Sequence, residues 1–191
     1  MLKRCSVVAA LLFFTAIGYG QTVTVHFDPA KSDVQWTLPD VLHTVHGTFK
    51  MREGNVVYDM KTGNASGLII IDAKSGESGS NARDSKMHKE ELESSKFPDI
   101  SFRPQHVEGA FNPTAPSTLA VSGVFSLHGS EHPLTMNVNV QPGKDQGAAT
   151  MKTEFQVPYV QWGMKDPSTF ILRVGKDVKI EVNASGTLST Q

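Results

Sequence analysis

The chain has 191 residues, of which 39% are hydrophobic and 19% are charged, and its formal net charge is −1. These values are ordinary for one soluble domain with a sizeable core, so no second domain is required. No run of basic residues is interleaved with aromatic residues, which excludes the electrostatic surface typical of nucleic-acid-binding proteins; we expect no nucleic-acid partner.

The first 20 residues have the composition of a signal peptide. Lys3 and Arg4 precede an apolar run over residues 7–17, and small residues follow it. The run is shorter than the about 20 residues that a membrane-spanning helix needs. We therefore expect residues 1–20 to be cleaved as a signal peptide and residues 21–191 to form one exported domain, periplasmic or secreted.

Short segments of alternating apolar and polar residues follow one another along the rest of the chain. The first four predicted strands form two pairs, with turns expected at Asp28-Pro29 and at Glu53-Gly54-Asn55. The predicted strands cover residues 23–27, 34–38, 45–51, 56–60, 67–73, 100–103, 119–127, 134–140, 149–155 and 178–182. This spacing is typical of antiparallel sheets joined by hairpin-sized turns.

One segment breaks the alternation and predicts a short helix over residues 83–93, which ends before Pro98. Its apolar stripe is narrow, mainly Met87 and Leu92, so the helix has to lie on a larger element. The strand at residues 67–73 is apolar on both faces, and we expect the helix to cover its outer face.

Eight to ten strands in series predict an all-β fold, either a sandwich or a closed antiparallel β-barrel. We favour the barrel, because closure leaves no unpaired edge in a mature chain that has lost its only cysteine, Cys5. A barrel of about eight strands is filled by side chains or holds one small apolar ligand. The small residues Gly47, Gly67, Ala73 and Gly123 on the apolar faces favour room inside.

Several short motifs follow one another along the chain in a characteristic order and spacing. They are Phe27-Asp28-Pro29-Ala30-Lys31-Ser32-Asp33-Val34, Val45-His46-Gly47-Thr48-Phe49, Asn81-Ala82-Arg83-Asp84, Phe97-Pro98-Asp99-Ile100-Ser101-Phe102, residues 129–134 and Trp162-Gly163-Met164-Lys165. Together they resemble the YceI-like family over residues 23–188. The resemblance implies a lipocalin-like barrel with one short helix packed on it, export to the periplasm, and binding of a polyisoprenoid or similar long-chain amphipathic lipid.

The chain departs from the family pattern after Arg83-Asp84. Many members have one residue between this pair and a histidine, whereas three residues stand between Asp84 and His88 here. We therefore assign no family role to His88.

The candidate ligand-binding residues are inward-facing apolar side chains and one polar pair. The apolar candidates are Trp36, Phe49, Val121, Phe125, Leu134, Met136, Phe155 and Trp162. Arg83 and Asp84 are candidates for contact with a lipid head group at the mouth of the barrel. Their structural interpretation is the commoner one, in which Asp84 stabilises the helix N-terminus and Arg83 pairs with a carboxylate.

The favoured function is non-enzymatic binding, transport or sequestration of an isoprenoid quinone, a polyprenyl lipid or a fatty-acid-like lipid. No Cys nucleophile, nucleophile elbow or phosphate loop is present, so no catalytic residue and no cofactor are predicted. One alternative is a metal-binding or hydrolytic protein built on His43, His46 and His88. A second is a solidly packed barrel that acts as an interaction module. The sequence leaves open whether two barrels form a homodimer.

Overall fold

The computed structural model describes residues 22–39, 44–145, 147–168 and 173–191. In this part of the chain, eight strands form a closed antiparallel barrel in which each strand pairs with the next and the last pairs with the first. The strands are β1 (Thr22–Leu38), β2 (Val45–Asp59), β3 (Ala65–Glu77), β4 (Asp99–Glu108), β5 (Ser117–Leu127), β6 (Ser130–Pro142), β7 (Ala148–Val157) and β8 (Val178–Thr190). The predicted closed barrel is confirmed. The predicted signal peptide, residues 1–20, lies outside the described residues.

The turn predicted at Asp28-Pro29 is wrong, because β1 continues through it. The register of β1 against β8 shifts between Asp28 and Asp33 without any reversal of the chain. An Asp28 Oδ1 atom accepts the backbone N–H of Ala30 at 3.0 Å, and the Ser32 hydroxyl donates to the Asp28 carbonyl at 2.7 Å. These local hydrogen bonds satisfy backbone groups in an irregular stretch. The irregularity bends and twists the strand, as β-bulges do.

The turn predicted at Glu53-Gly54-Asn55 is also a continuation, here of β2. Met51 pairs with Ile71 and Glu53 with Ile70, so the residue between them is unpaired and forms a bulge. Two pairs of short predicted strands therefore merge into two long strands. Long, bent strands of this kind can curl far enough to close a barrel of only eight strands.

The inserted helix begins and ends two residues earlier than predicted. An α-helix, α1 (Asn81–Lys86), continues directly into a π-helical turn over Met87–Glu91. The wider turn is marked by the Leu92 N–H, which donates to the Met87 carbonyl five residues back at 2.8 Å.

The helix lies over one end of the barrel and not on the outer face of β3. Met87 and Leu92 point into the barrel interior, together with Ile69 and Ile71 of β3. On the opposite face of β3, Leu68 is 36% exposed and Ile70 is 7% exposed, but neither belongs to the hydrophobic cluster that contains Met87 and Leu92. The expectation that the helix covers this outer face is therefore wrong.

The two ends of the barrel differ in their connections. We call the "helix end" the end that carries the β1–β2, β3–β4, β5–β6 and β7–β8 connections, because α1 lies in the second of them. The "turn end" carries only the β2–β3, β4–β5 and β6–β7 connections, which are shorter than the two long ones at the helix end. The chain reverses most tightly between β5 and β6, where His128 and Gly129 both have the positive φ that a two-residue hairpin turn of type I′ requires.

Each end has its own hydrophobic cluster. At the turn end, the buried residues are Val23, Val25, Tyr58, Val107, Leu119, Val140, Ala149 and Met151. At the helix end, they are Ala73, Leu92, Ile100, Phe102, Phe125, Leu127, Val157, Tyr159 and Met164. The helix-end cluster includes residues of the two long connections, so the segments that cover this end of the barrel share a core with the strands. No helix in the described segments is both long and apolar enough to cross a membrane.

Candidate functional site

A cavity of about 700 Å³ occupies the barrel interior. Inward-facing side chains from all eight strands line it, from Val25 and Tyr58 near the turn end upward, and Met87 and Leu92 of the helical segment close it at the helix end. Its volume lies within the range of about 300–1,000 Å³ that is usual for small-molecule sites. The period-two alternation of the strands produces this lining, because every second residue faces the same side of the sheet.

Most of the sequence-predicted site residues meet in this cavity. Six apolar candidates line it, namely Trp36, Phe49, Val121, Phe125, Met136 and Phe155, and so does Arg83. Val121 and Met136 are directly paired across β5 and β6, which places them near the middle of both strands. Whether these residues contact a ligand stays a prediction.

Three predicted residues, Leu134, Trp162 and Asp84, are not part of the lining. Leu134 and Trp162 pack against the helix-end cluster. The Trp162 ring stacks on His132, with ring centroids 4.0 Å apart, and lies 5.8 Å from the ring of Phe125. Trp162 therefore packs beside Phe125, whose side chain lines the cavity.

Asp84 and Arg83 share one partner, Ser78, at the start of the helix. An Asp84 oxygen accepts the Ser78 backbone N–H at 2.9 Å and also its hydroxyl, and the Arg83 Nε–H donates to the Ser78 hydroxyl oxygen at 2.7 Å. The structural interpretation of Asp84 at the helix N-terminus agrees with this geometry. Arg83 differs from expectation, because it contacts a hydroxyl and not a carboxylate.

The small residues on the apolar faces do not create the cavity. Gly47, Gly67, Ala73 and Gly123 are absent from its lining. A Cβ atom at Gly47 would lie 2.2 Å from the Trp36 ring, and one at Gly123 would lie 2.2 Å from the Arg103 carbonyl oxygen. Gly47 and Gly123 therefore allow close packing within the barrel wall. The cavity is the space along the barrel axis that the inward-facing side chains do not fill.

The helix presents a row of cavity-facing residues at four-residue spacing. Arg83, Met87 and Glu91 all line the cavity, together with Lys86 and Leu92. Residues four apart lie on the same face of a helix, so this spacing places Arg83, Met87 and Glu91 in one row that faces the cavity. The sequence interpretation noticed Met87 and Leu92 but missed Glu91, which stands between them on the same stripe.

Glu91 is buried in an unusual way. Both of its carboxyl oxygens are buried and have no hydrogen-bond partner among the described residues. Burial raises the pKa of Glu91, and the positive charges of Lys165 and Lys86 offset only part of this effect. Lys165 is engaged elsewhere, since its ammonium group donates to the carboxylate of the neighbouring Glu90 and lowers the pKa of Glu90.

Other polar groups face the cavity without partners. Trp36 Nε1, the Tyr58 hydroxyl and Thr153 Oγ1 are buried and lack hydrogen bonds within the described part of the chain. Burial raises the pKa of Tyr58 to about 12, so this phenol stays neutral. Tyr159 at the helix end has a pKa raised to about 12, first by burial, but its hydroxyl donates to the Gly175 carbonyl at 2.8 Å.

The histidines have separate surroundings. His46 bonds Thr37 at 3.1 Å, His88 bonds the Gly76 carbonyl at 2.8 Å, and His128 bonds Glu93 at 2.8 Å. His43 lies outside the described residues. Within those residues, no three His, Cys, Asp or Glu side chains are grouped as metal ligands.

Comparison with known proteins adds relatives of similar length. UPF0312 proteins of Pseudomonas putida strains W619 and GB-1 are each 27% identical to the chain over 194 residues, covering 95% of it and 97% of the relative. Among solved structures, BcnA of Burkholderia cenocepacia superposes with a TM-score of 0.68 at 17% identity, covering 84% of this chain and 99% of BcnA.

Another structural neighbour is a polyisoprenoid-binding domain from Saccharophagus degradans implicated in plant cell wall breakdown. It has a TM-score of 0.66 at 11% identity and covers 86% of this chain and 98% of the domain. At such identities the likeness shows a shared fold. The model of the YceI-like domain matches residues 26–185, which is most of the sequence. The chain therefore belongs to the YceI-like domain family.

Proposed function

We propose that the mature chain binds one long-chain amphipathic lipid inside the barrel and carries or sequesters it without catalysing a reaction. The observation that carries this proposal is the cavity of about 700 Å³, whose walls are almost entirely aliphatic and aromatic side chains. Its shape follows the barrel from the helix end toward the turn end, which suits an extended hydrocarbon tail.

The energetics of such a site are simple. Each methylene group transferred from water to an apolar surface contributes about 0.8 kcal/mol. A tail that fills the middle of the barrel, between Val121, Met136 and Phe155, therefore supplies enough free energy for tight binding with no charged anchor. The solidly packed interaction module is disfavoured by the same cavity.

The first ligand to test is an isoprenoid. The polyisoprenoid-binding domain of S. degradans supports this choice, because nearly the whole length of that domain superposes on this chain. The basic residues and apolar run of the first 20 residues support export to the periplasm before the lipid is bound. Transport and periplasmic location are parts of the proposal, and so is the absence of catalysis.

Mass spectrometry of the bound lipid tests the proposal. The full chain is expressed in a bacterium that exports it, purified from the periplasm without detergent, and extracted with organic solvent. We expect an isoprenoid or other long-chain lipid in near-stoichiometric amount. The delipidated protein, reloaded with geranylgeraniol, is the matched sample. A lipid-free native protein that also takes up no geranylgeraniol would contradict the proposal.

A further inference from the structure

One carboxyl group stands out in the otherwise apolar cavity. Glu91 is the only acidic residue among the described residues that line it, and both of its oxygens are buried without a hydrogen-bond partner in that part of the chain. A buried polar group without a partner is costly, so such a group calls for a partner such as an ordered water or a ligand.

Among the described residues, no cation is hydrogen-bonded to Glu91, and the charges of Lys165 and Lys86 offset only part of the effect of burial on its pKa. On the helix, Lys86 lies at the mouth and Glu90 adds a second negative charge. From the β7–β8 connection, Lys165 is hydrogen-bonded to Glu90, and Asp166 adds further negative charge. The carboxyl group of Glu91 is therefore left to a neutral partner from inside the cavity.

The chemistry of that partner follows from the carboxyl group. A protonated carboxyl donates one hydrogen bond and accepts others, and an ionised one only accepts. Either form suits an alcohol or an amide, and the protonated form also suits a carbonyl. A phosphate or carboxylate at the same place meets a second acid in a water-poor cavity, which is unfavourable.

We propose that Glu91 hydrogen-bonds the uncharged polar end of the bound lipid and so selects alcohols and amides, which can donate a hydrogen bond, over fatty acids and prenyl phosphates. This inference rests on the proposed lipid binding. It places the polar end below the helix, between Glu91 and Met87, with the tail pointing toward Tyr58 at the turn end.

Arg83 and Lys86 also line the cavity and could attract an anion, so they define the competing outcome. Both residues are exposed. The Arg83 guanidinium also donates hydrogen bonds to the Ser78 hydroxyl at 2.7 Å and to the Ser78 carbonyl at 3.4 Å. They lie where water still screens their charges, whereas the oxygens of Glu91 are buried.

The test uses two probes with the same tail: geranylgeraniol and geranylgeranyl phosphate. Each is titrated at pH 7 into the delipidated full-length mature protein and into Glu91→Leu, Glu91→Gln and Arg83→Gln variants. Wild type is expected to bind the alcohol at least about tenfold more tightly than the phosphate, the size of effect that one buried hydrogen bond to such a group produces. The Leu variant loses this preference, because it no longer has a hydrogen-bonding group.

The Gln variant keeps a donor and an acceptor, so its affinity for the alcohol stays within about threefold of wild type, the small change expected when the hydrogen bond is conserved. Phosphate binding as tight as alcohol binding in wild type, with a loss in Arg83→Gln, would overturn the role of Glu91 and assign the mouth to anions. Equal affinities for all probes in every variant would overturn it too, while lipid binding itself would stand. If no probe binds any variant, both the role of Glu91 and the proposed function fall.

Discussion

The two ends of the barrel are built for different tasks. At the turn end, Val23 is fully buried and the rings of Tyr58 and Phe111 meet edge to face, 6.3 Å apart. At the helix end, a short helix with a π-helical turn covers the opening and brings Arg83 and Glu91 to the cavity. One end of the barrel is thus closed by packed apolar side chains, while the other brings polar groups to the cavity.

The helix end is nonetheless attached to the barrel by specific contacts. Glu93, which follows the helix with a positive φ of 43°, accepts a hydrogen bond at 2.8 Å from His128 in the β5–β6 turn. The ring of Phe97 lies 4.6 Å from that of His128. The helix is therefore fixed at its C-terminal side, whereas its first turn is held to the preceding Ser78 by local bonds from Arg83 and Asp84.

The largest expected difference between the ends is in stability. Leu119 at the turn end and Leu92 at the helix end are the same residue type and are 5% and 9% exposed. We expect Leu119→Ala to lower the free energy of unfolding by about 2–5 kcal/mol. Leu92→Ala should cost less than half as much, because the connection that carries it can open without unfolding the sheet. Urea unfolding measures both, and equal losses would contradict the division between the ends.

Much of this architecture could be predicted from the sequence. The alternation of strands such as β5 and β6 fixes their inward faces, and so Val121, Phe125 and Met136 could be placed in the interior. The breaks at Asp28-Pro29 and at Gly54 could not be assigned, because the same residues serve turns and bulges, and only pairing with β8 or β3 decides between them.

The polar part of the site was harder to predict. Glu91 reads as one more charge on a polar helix until the helix is known to cover the barrel end. Its position four residues after Met87, and next to Leu92, is the signal that could have identified it. The role of Gly47 was also misjudged, since a glycine beneath an indole ring cannot be told from one that widens a cavity without knowing that Trp36 lies over it.

A smaller difference is expected from the dependence of stability on pH. The pKa of Glu91 is raised in the folded protein, so the folded state holds this proton more tightly than the unfolded state does. Ionisation of Glu91 therefore lowers stability as the pH rises above the ordinary carboxyl value of 4.5 and through the raised one. The cost is absent at lower pH.

We expect Glu91→Gln to melt at a higher temperature than wild type at pH 8 and at nearly the same temperature at pH 4. The comparison with wild type removes the contributions of Glu90 and Asp166, whose lowered pKa values have the opposite effect in both proteins. Calorimetry at several pH values measures the difference in melting temperature. If the advantage of Glu91→Gln over wild type in melting temperature shrinks as the pH rises, the folded protein stabilises the ionised form of Glu91 and the prediction is wrong.

The smallest effect concerns the Tyr58 hydroxyl at the turn end. This group is buried without a hydrogen-bond partner in the described part of the chain, and burial raises its pKa to about 12. Tyr58→Phe removes an unsatisfied polar group and keeps the ring against Phe111, so the free energy of unfolding should rise by at most about 1 kcal/mol or stay unchanged. A loss of more than that in thermal unfolding would mean that the hydroxyl has a partner in solution.

Filling the cavity is the most direct test of the account. Met136 points into the middle of the barrel, whereas its neighbour Thr135 on β6 points outward and is exposed. Calorimetric titration with geranylgeraniol compares wild type, Met136→Trp and the matched control Thr135→Trp. An indole that displaces about four methylene groups, at about 0.8 kcal/mol each, should weaken binding about 200-fold in Met136→Trp. Thr135→Trp should bind like wild type. Unchanged affinity in Met136→Trp, with the variant folded, would contradict a lipid tail inside the barrel.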